Sequence, residues 1–420
     1  MNNKRYLTAK EAAAALGITL PTLYAYVSRG VIRSEPGEGK TRARRYRQED
    51  VAALQARQEL RRSPAKAVES ALNWGTPLLE SALTLIEDGR LYYRGYDVLT
   101  LPQTYSFEEV ARLLWQGEFT PFTEQLPAAF GPLLQEMAPI TADLSPAEAF
   151  QVVLPVAGAQ DLAGYDLRET AVALTGQRIL LLLTAVVSVF SEQFAVFSGQ
   201  FAAFSEGGIA RNLQETWAAK APQAADLFNA ALVYCADHEL NASAFTARVA
   251  ASARATPYQV VIAGLSTLQG RLHGGVTGQV DAFLREVATP QQARRVIGDR
   301  LKRGELIPGF GHPLYPEGDP RGRALLAQVT AVLPDAPGTL LAQAVAQGMA
   351  DTVGLQPNID FALTALAWAL ELPPGAPLAL FALGRTAGWI GQAIEQYQVG
   401  QLIRPRARYV GVRPKIEGGD

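Results

Sequence analysis

The chain has 420 residues, 38 Lys+Arg against 40 Asp+Glu, 48% hydrophobic and 19% charged residues, three His and one Cys. At ~100–200 residues per domain this predicts two or three domains with a large buried core, and the composition excludes a disordered or acidic tail-like protein. Cys235 has no second cysteine for a disulfide or a Cys-based zinc site, the start MNNKRYLTAKEAAAALG has no apolar signal-peptide core, and the most apolar uncharged run, Ile179 to Ser191, falls short of the ~18 residues of a membrane span, so a reducing, cytoplasmic setting without a membrane partner is expected.

The balanced total hides a boundary. Residues 1–66 hold 14 Lys/Arg and 6 Asp/Glu, a net of +8, so the remaining 354 carry −10. A basic head on an acidic body marks a domain boundary. In the head, Thr8-Ala9-Lys10-Glu11 reads as a capping box opening a helix that stops at Gly17. Thr19 caps a second helix with Pro21 in its first turn, ending near Arg29-Gly30, so the pair makes a helix-turn-helix. Five of the eight residues Lys40 to Arg47 are cationic and form a candidate wing, and a third helix is expected at about Glu49 to Arg62. The layout resembles the winged helix-turn-helix domains of the MerR and excisionase type. That resemblance implies DNA as a partner, with Thr22, Tyr24 and Tyr26 facing the groove and Arg42, Arg44, Arg45 and Arg47 neutralising phosphates. A solvated hairpin on a docking module is the alternative.

From Ala71 the pattern changes. Ser81–Asp97 has short strand-like runs around Glu87-Asp88-Gly89-Arg90, a hairpin signal. After Ser106, which with Glu109 makes a second capping box, Ala/Leu-rich helical periodicity continues almost to the end, so the body is expected to be mainly α with a small β element. Phe190, Phe194, Phe197, Phe201 and Phe204 recur at spacings of 4 and 3, a stripe suited to a packed core helix or a subunit interface.

Three histidines sit among polar or glycine residues: His238 in Asp237-His238-Glu239, His273 in Leu272-His273-Gly274-Gly275, His312 in Gly311-His312-Pro313. Their separations give no close ligand pair, so no metal is expected, and Cys235 in an apolar run reads as a core thiol rather than a nucleophile. A helix predicted over Val276 to Glu286 would place His273 near a positive helix end, where a neutral imidazole donates to a developing enolate oxygen. His312 on a rigid loop would polarise a second carbonyl, and Asp360, between apolar neighbours at a helix start, is a candidate base. Arg321, Arg385 and Arg404 would clamp a dicarboxylate. Together they suggest carbon–carbon bond formation between an enolised donor and an anionic carbonyl acceptor.

The strings DHELNASAFTARVAAS, LHGG, GFGHPLYPEGDPR, PNIDF, ALGRTAGWIGQAIEQ and RPRARYVG, with RGYDV and FEEVARLLWQGE before them, resemble the citrate synthase family in order and spacing from about Leu78 to Gly411. The resemblance implies a mainly α homodimer, with a large domain (71–275 plus 362–420) and a small domain (276–361) that close over oxaloacetate before an acyl-CoA reacts. It implies that Asp360 removes a thioester α proton, His273 stabilises the enol and His312 polarises the oxaloacetate carbonyl. His238, Arg321 and Arg385 would hold the carboxylates, Arg404 would reach in from the partner subunit, and no cofactor beyond the coenzyme A thioester substrate would be needed. Three departures stand out: Val276-Thr277-Gly278 where relatives have Ala-Asn-Glu, Pro313-Leu314-Tyr315-Pro316 where most bacterial relatives have Arg-Val-Tyr-Lys, and Thr352–Gln356 without a lysine, with Ala362 in place of a common Tyr. The last two fall where the family binds coenzyme A. The expected activity is condensation of acetyl-CoA or propionyl-CoA with oxaloacetate to citrate or 2-methylcitrate; the alternative is a DNA-binding regulator whose synthase-like body senses oxaloacetate, citrate or CoA esters.

Overall fold

A computed structural model describes residues 6–28, 32–36, 44–48, 50–51, 54, 79–189 and 208–412. The chain forms two compact units, Met1–Glu80 and Ser81–Asp420.

The head unit runs β1 (Tyr6–Thr8), α1 (Ala9–Leu16), α2 (Leu20–Ser28), β2 (Ser34–Pro36) and β3 (Arg44–Arg47). The capping box is formed: the Glu11 N–H donates to Thr8 Oγ1 at 3.3 Å, and the Thr8 N–H to Glu11 Oε2 at 2.8 Å. Gly17 takes φ 61° and ends α1, a conformation that costs a residue with a Cβ. β3 is central, antiparallel to both β1 and β2, with Tyr46 opposite Leu7 and Ser34. Strand β1 was not legible in the sequence, because three residues are too few to show alternation. Alternation along β3 buries Tyr46, which joins Ala12, Ala13, Leu16, Leu23, Ile32 and Val51 in a small core. Of the expected third helix, Asp50, Val51 and Leu54 are helical; the rest of it, with Arg42, lies outside the described residues.

The body opens on the expected hairpin, β4 (Thr84–Glu87) and β5 (Arg90–Tyr93), joined by Asp88 and Gly89 at φ 53° and 73°, with β6 (Tyr96–Asp97) as a third strand. Helices follow: α3 (Phe107–Gln116), opened by the Ser106–Glu109 capping box, then α4 (Phe130–Thr141), α5 (Pro146–Gln160) and α6 (Glu169–Val189). After the undescribed residues 190–207, which contain the phenylalanine stripe, come α7 (Gly208–Trp217), α8 (Ala224–Cys235), α9 (Ala242–Ser252) and α10 (Pro257–Leu268). The chain continues with α11 (Val276–Val287), α12 (Ala293–Lys302), α13 (Pro320–Val332), α14 (Pro337–Val353), α15 (Ile359–Ala369) and α16 (Ala376–Val399).

Helix α6 extends the uncharged run into a stretch long and apolar enough to cross a membrane, yet 83% of that stretch is buried against other helices. It is a core helix of this fold. Helix α16 is apolar almost all round and packs against α3, α6, α8, α9 and α10. Its approach to the end of α8 is backbone to backbone: a Cβ at Gly388 would lie 2.3 Å from the Ala236 carbonyl oxygen. That contact presents Arg385 to the residues that follow α8.

Candidate active site

Four connections converge. His238 lies between α8 and α9, His273 in the turn between α10 and α11, His312 in the loop before α13, and Asp360 in the first turn of α15. The last two are tied together. The Asn358 side chain caps α15 by accepting from the Phe361 N–H, while the Asn358 N–H donates to Gly309 O at 2.9 Å and the Gly311 N–H to Gln356 O at 3.0 Å.

The His238 and His312 rings stand edge to face with centroids 5.2 Å apart. His312 Nδ1 accepts the Leu314 N–H at 3.1 Å; a backbone N–H only donates, so the neutral ring carries its proton on Nε2. His273 Nε2 is 2.8 Å from Ser243 Oγ, and Asn241 Oδ1 accepts from the Ser243 hydroxyl at 2.8 Å as well as from the Ser243 and Ala244 N–H groups. Arg321 is buried, with its N–H, Nε and Nη2 all donating to Asp319. Asp319 Oδ2 also accepts the Ile359 N–H at 3.1 Å, so one carboxylate holds both Arg321 and the start of the Asp360 helix. Arg385 donates from Nε to Cys235 O at 2.7 Å, and its buried Nη1 has no partner. Asp360 Oδ1 is buried and without a partner too.

Burial sets the charge states. Asp360 is pushed up to about 7 by desolvation, which outweighs the pull of Arg321. His273 and His312 are lowered to about 4, first by burial and then by Arg385 and Arg321 respectively; His238 lies well below its ordinary value for the same reasons. All three imidazoles are therefore neutral at pH 7. His273 lies two residues before Gly275, the N-cap of α11, and burial is the largest cause of its lowered value, followed by Arg385. Asp237, fully buried, accepts from Thr84 Oγ1 at 2.6 Å and is raised to about 6 by burial. Cys235 is buried and pushed up to about 12, as a core thiol should be.

His238, His273, His312, Asp360, Arg321 and Arg385 thus share one region, where Arg321 and Arg385 both bear electrostatically on His238 and Asp360. Arg404 is exposed on the irregular segment after α16. Among the described residues no group of three His, Cys, Asp or Glu side chains is placed to hold a metal. Sequence reasoning missed Ser243, Asp319 and Tyr315, whose hydroxyl is 2.8 Å from His238 Nε2. Asp319 had a signal, since Asp-Pro at a helix start is a cap followed by N1 proline. Ser243 and Tyr315 had none, because their partners lie 30 and 77 residues away.

In the head, Tyr24 is 51% exposed, and Thr22 shares a 2.9 Å hydrogen bond with Thr19. Tyr26 is partly buried and packs against the head core. Arg44 donates to Ser34 Oγ, and the Arg45 guanidinium lies 5.5 Å above the Tyr6 ring. Arg47 pairs with Glu35 at 3.1 Å, so this expected phosphate ligand already has an acid.

The model of the citrate synthase C-terminal domain matches residues 71–406, and a helix-turn-helix domain model matches residues 6–59. A citrate synthase of Haloferax volcanii is 32% identical over 360 residues, spanning 80% of this chain and 94% of that protein. A 2-methylcitrate synthase of Mycobacterium tuberculosis is 29% identical over 345 residues, spanning 78% and 86%. The citrate synthase of Thermoplasma acidophilum, solved with carboxymethyl coenzyme A and oxaloacetate, superposes with a TM-score of 0.68 at 21% identity, covering 82% of this chain and 96% of that one. With the fold, the ordered motifs and a family model spanning most of its length in agreement, this chain belongs to the citrate synthase family.

Proposed function

We propose that the body condenses an acyl-CoA with oxaloacetate, giving a tricarboxylate and free coenzyme A. The observation that carries this reading is Asp360: a buried carboxylate with an unpartnered oxygen and a pKa near 7 sits in the field of two buried arginines, among neutral histidines. Arg321 and Arg385, the latter with an unpartnered N–H, would hold the two carboxylates of oxaloacetate. Asp360 would remove a proton from the carbon next to the thioester carbonyl, and His273 would donate a hydrogen bond to the enolate oxygen so formed.

Donation from His273 Nδ1 requires the Ser243 proton to point at Nε2. In the structure that proton goes to Asn241 Oδ1 at 2.8 Å, so it must turn from that oxygen, which keeps two backbone N–H groups, to Nε2 when the thioester binds. The enol carbon then attacks the keto carbon of oxaloacetate while His312 Nε2–H protonates the emerging alkoxide. Water finally cleaves the thioester, its oxygen going to the new carboxyl group and a proton to the coenzyme A sulfur, while the proton Asp360 removed replaces the one His312 gave up. The reading uses no redox group or metal, divides the body into the large and small domains given above, and has Arg404 of each subunit completing the partner's site in a homodimer.

The test is product formation read by mass spectrometry, with oxaloacetate and either acetyl-CoA or propionyl-CoA. Turnover to citrate or 2-methylcitrate supports the reading and identifies the acyl chain. Absence of product from both donors would refute it.

A second reading, that the chain is a DNA-binding regulator sensing the same ligands, is favoured by one observation: a helix-turn-helix unit with Arg44 and Arg45 along one strand. A mobility shift of short duplex DNA that weakens with salt would support it. Asp360→Ala, which should stop turnover, would leave such a shift and its ligand response intact if the two functions are separate.

A further inference from the structure

The loop between His312 and Arg321 carries a side chain that the reaction above leaves unused. Tyr315 is 2% exposed, and its N–H donates to His312 O at 3.0 Å. Its hydroxyl is 2.8 Å from His238 Nε2, its ring centroid is 5.0 Å from that of His312, and the Arg321 guanidinium carbon lies 5.8 Å from the ring. One phenol therefore adjoins three groups assigned to the 2-oxo dicarboxylate.

Proton bookkeeping limits what this phenol can do. Burial pushes Tyr315 up to about 12 and holds His238 well below its ordinary value, so at pH 7 the pair has one O–H and one ring N–H. If the phenol donates to Nε2, its only proton is spent and its lone pairs face an incoming anion. If Nε2–H donates to the phenol instead, the O–H is free for the ligand. A carboxylate drawn in by Arg321 stabilises the second order, since it replaces a lone pair turned toward an anion with a charge-assisted hydrogen bond.

We propose that Tyr315 is a substrate-binding residue: its hydroxyl donates to the 2-oxo dicarboxylate, and His238 Nε2–H donates to that hydroxyl in turn, so that His238 acts on the substrate through Tyr315. This rests on the reading of the body as an oxaloacetate-binding enzyme.

Tyr315→Phe keeps the ring and removes the hydroxyl. Titration calorimetry with oxaloacetate alone should show Kd rising about 10- to 100-fold, the loss expected for one buried hydrogen bond to a charged group. An unchanged Kd would overturn the proposal. A tighter one would too, because it would mean that the phenol merely occupies His238 and yields to the ligand. If the unaltered protein binds no oxaloacetate, both this role and the function above fall; if it binds and the variant binds equally well, only this role falls. A second measurement does not depend on the variant folding. With three histidines in the chain, imidazole-15N labelling resolves each ring. In the oxaloacetate complex His238 should carry its proton on Nε2, and a proton on Nδ1 would overturn the relay.

Discussion

Replacing Asp360 by Asn should stabilise the fold, and by an amount that grows with pH. The carboxyl has an ordinary value of 3.8 and a folded value of about 7, so the folded state prefers the protonated form. Below pH 3.8 both states are protonated and there is no penalty. Between 3.8 and 7 folding must take up a proton, and above 7 the folded state holds an unpartnered charge. The cost to the unaltered protein is then about 2 kcal/mol at pH 5 and about 4 kcal/mol at pH 8. Asn carries neither cost. With about 2 cal/mol/K of unfolding entropy per residue over the unit Ser81–Asp420, this corresponds to a rise in Tm of about 3 °C at pH 5 and about 6 °C at pH 8. The assay is thermal unfolding of both proteins at the two pH values. Equal shifts at pH 5 and 8, or a loss at pH 8, would refute the claim that burial without a partner raises this carboxyl. A charge the fold carries at such cost is the kind expected of a base that must regain its proton readily.

Other outcomes follow from the same geometry. For the unaltered enzyme kcat/KM should fall about tenfold per pH unit below 7 as Asp360 protonates, with no further limb until His273 and His312 titrate near 4; a flat profile between pH 5 and 8 would exclude Asp360 as the base. Ser243→Ala removes the partner of His273 Nε2 and should lower kcat about tenfold with little change in oxaloacetate affinity, measured by steady-state kinetics. Gly322→Ala would place a Cβ 2.3 Å from the Asn358 backbone, so a loss of about 3 kcal/mol or more in urea unfolding is expected. Glu35→Gln removes a negative charge beside Arg47; if the head binds duplex DNA, affinity at low salt should increase, read by a mobility shift.

Much of the site was legible from residue types and their neighbours. Asp360 at the start of an apolar helix and three histidines in glycine-rich or polar turns are local patterns, and local patterns survive in the fold because caps and turns depend on nearby atoms. The same holds for the two capping boxes at Thr8 and Ser106 and for the hairpin at Asp88-Gly89. Tertiary structure decided what each group is paired with. His273 is held neutral by its partial burial and by Arg385 on α16, a fact no spacing to α11 contains. Arg47 reads as a free cation in a basic run, yet strand pairing brings Glu35 against it. Asp319 serves Arg321 and the start of α15 at once only because α13 and α15 pack with Gly322 against Asn358. The sequence alone therefore determined the helical character of the body, the caps at Thr8 and Ser106 and the chemical inventory, which depend on near neighbours in the chain. Protonation states and hydrogen-bond partners depend on burial and on residues distant in sequence, and only the folded chain supplies those.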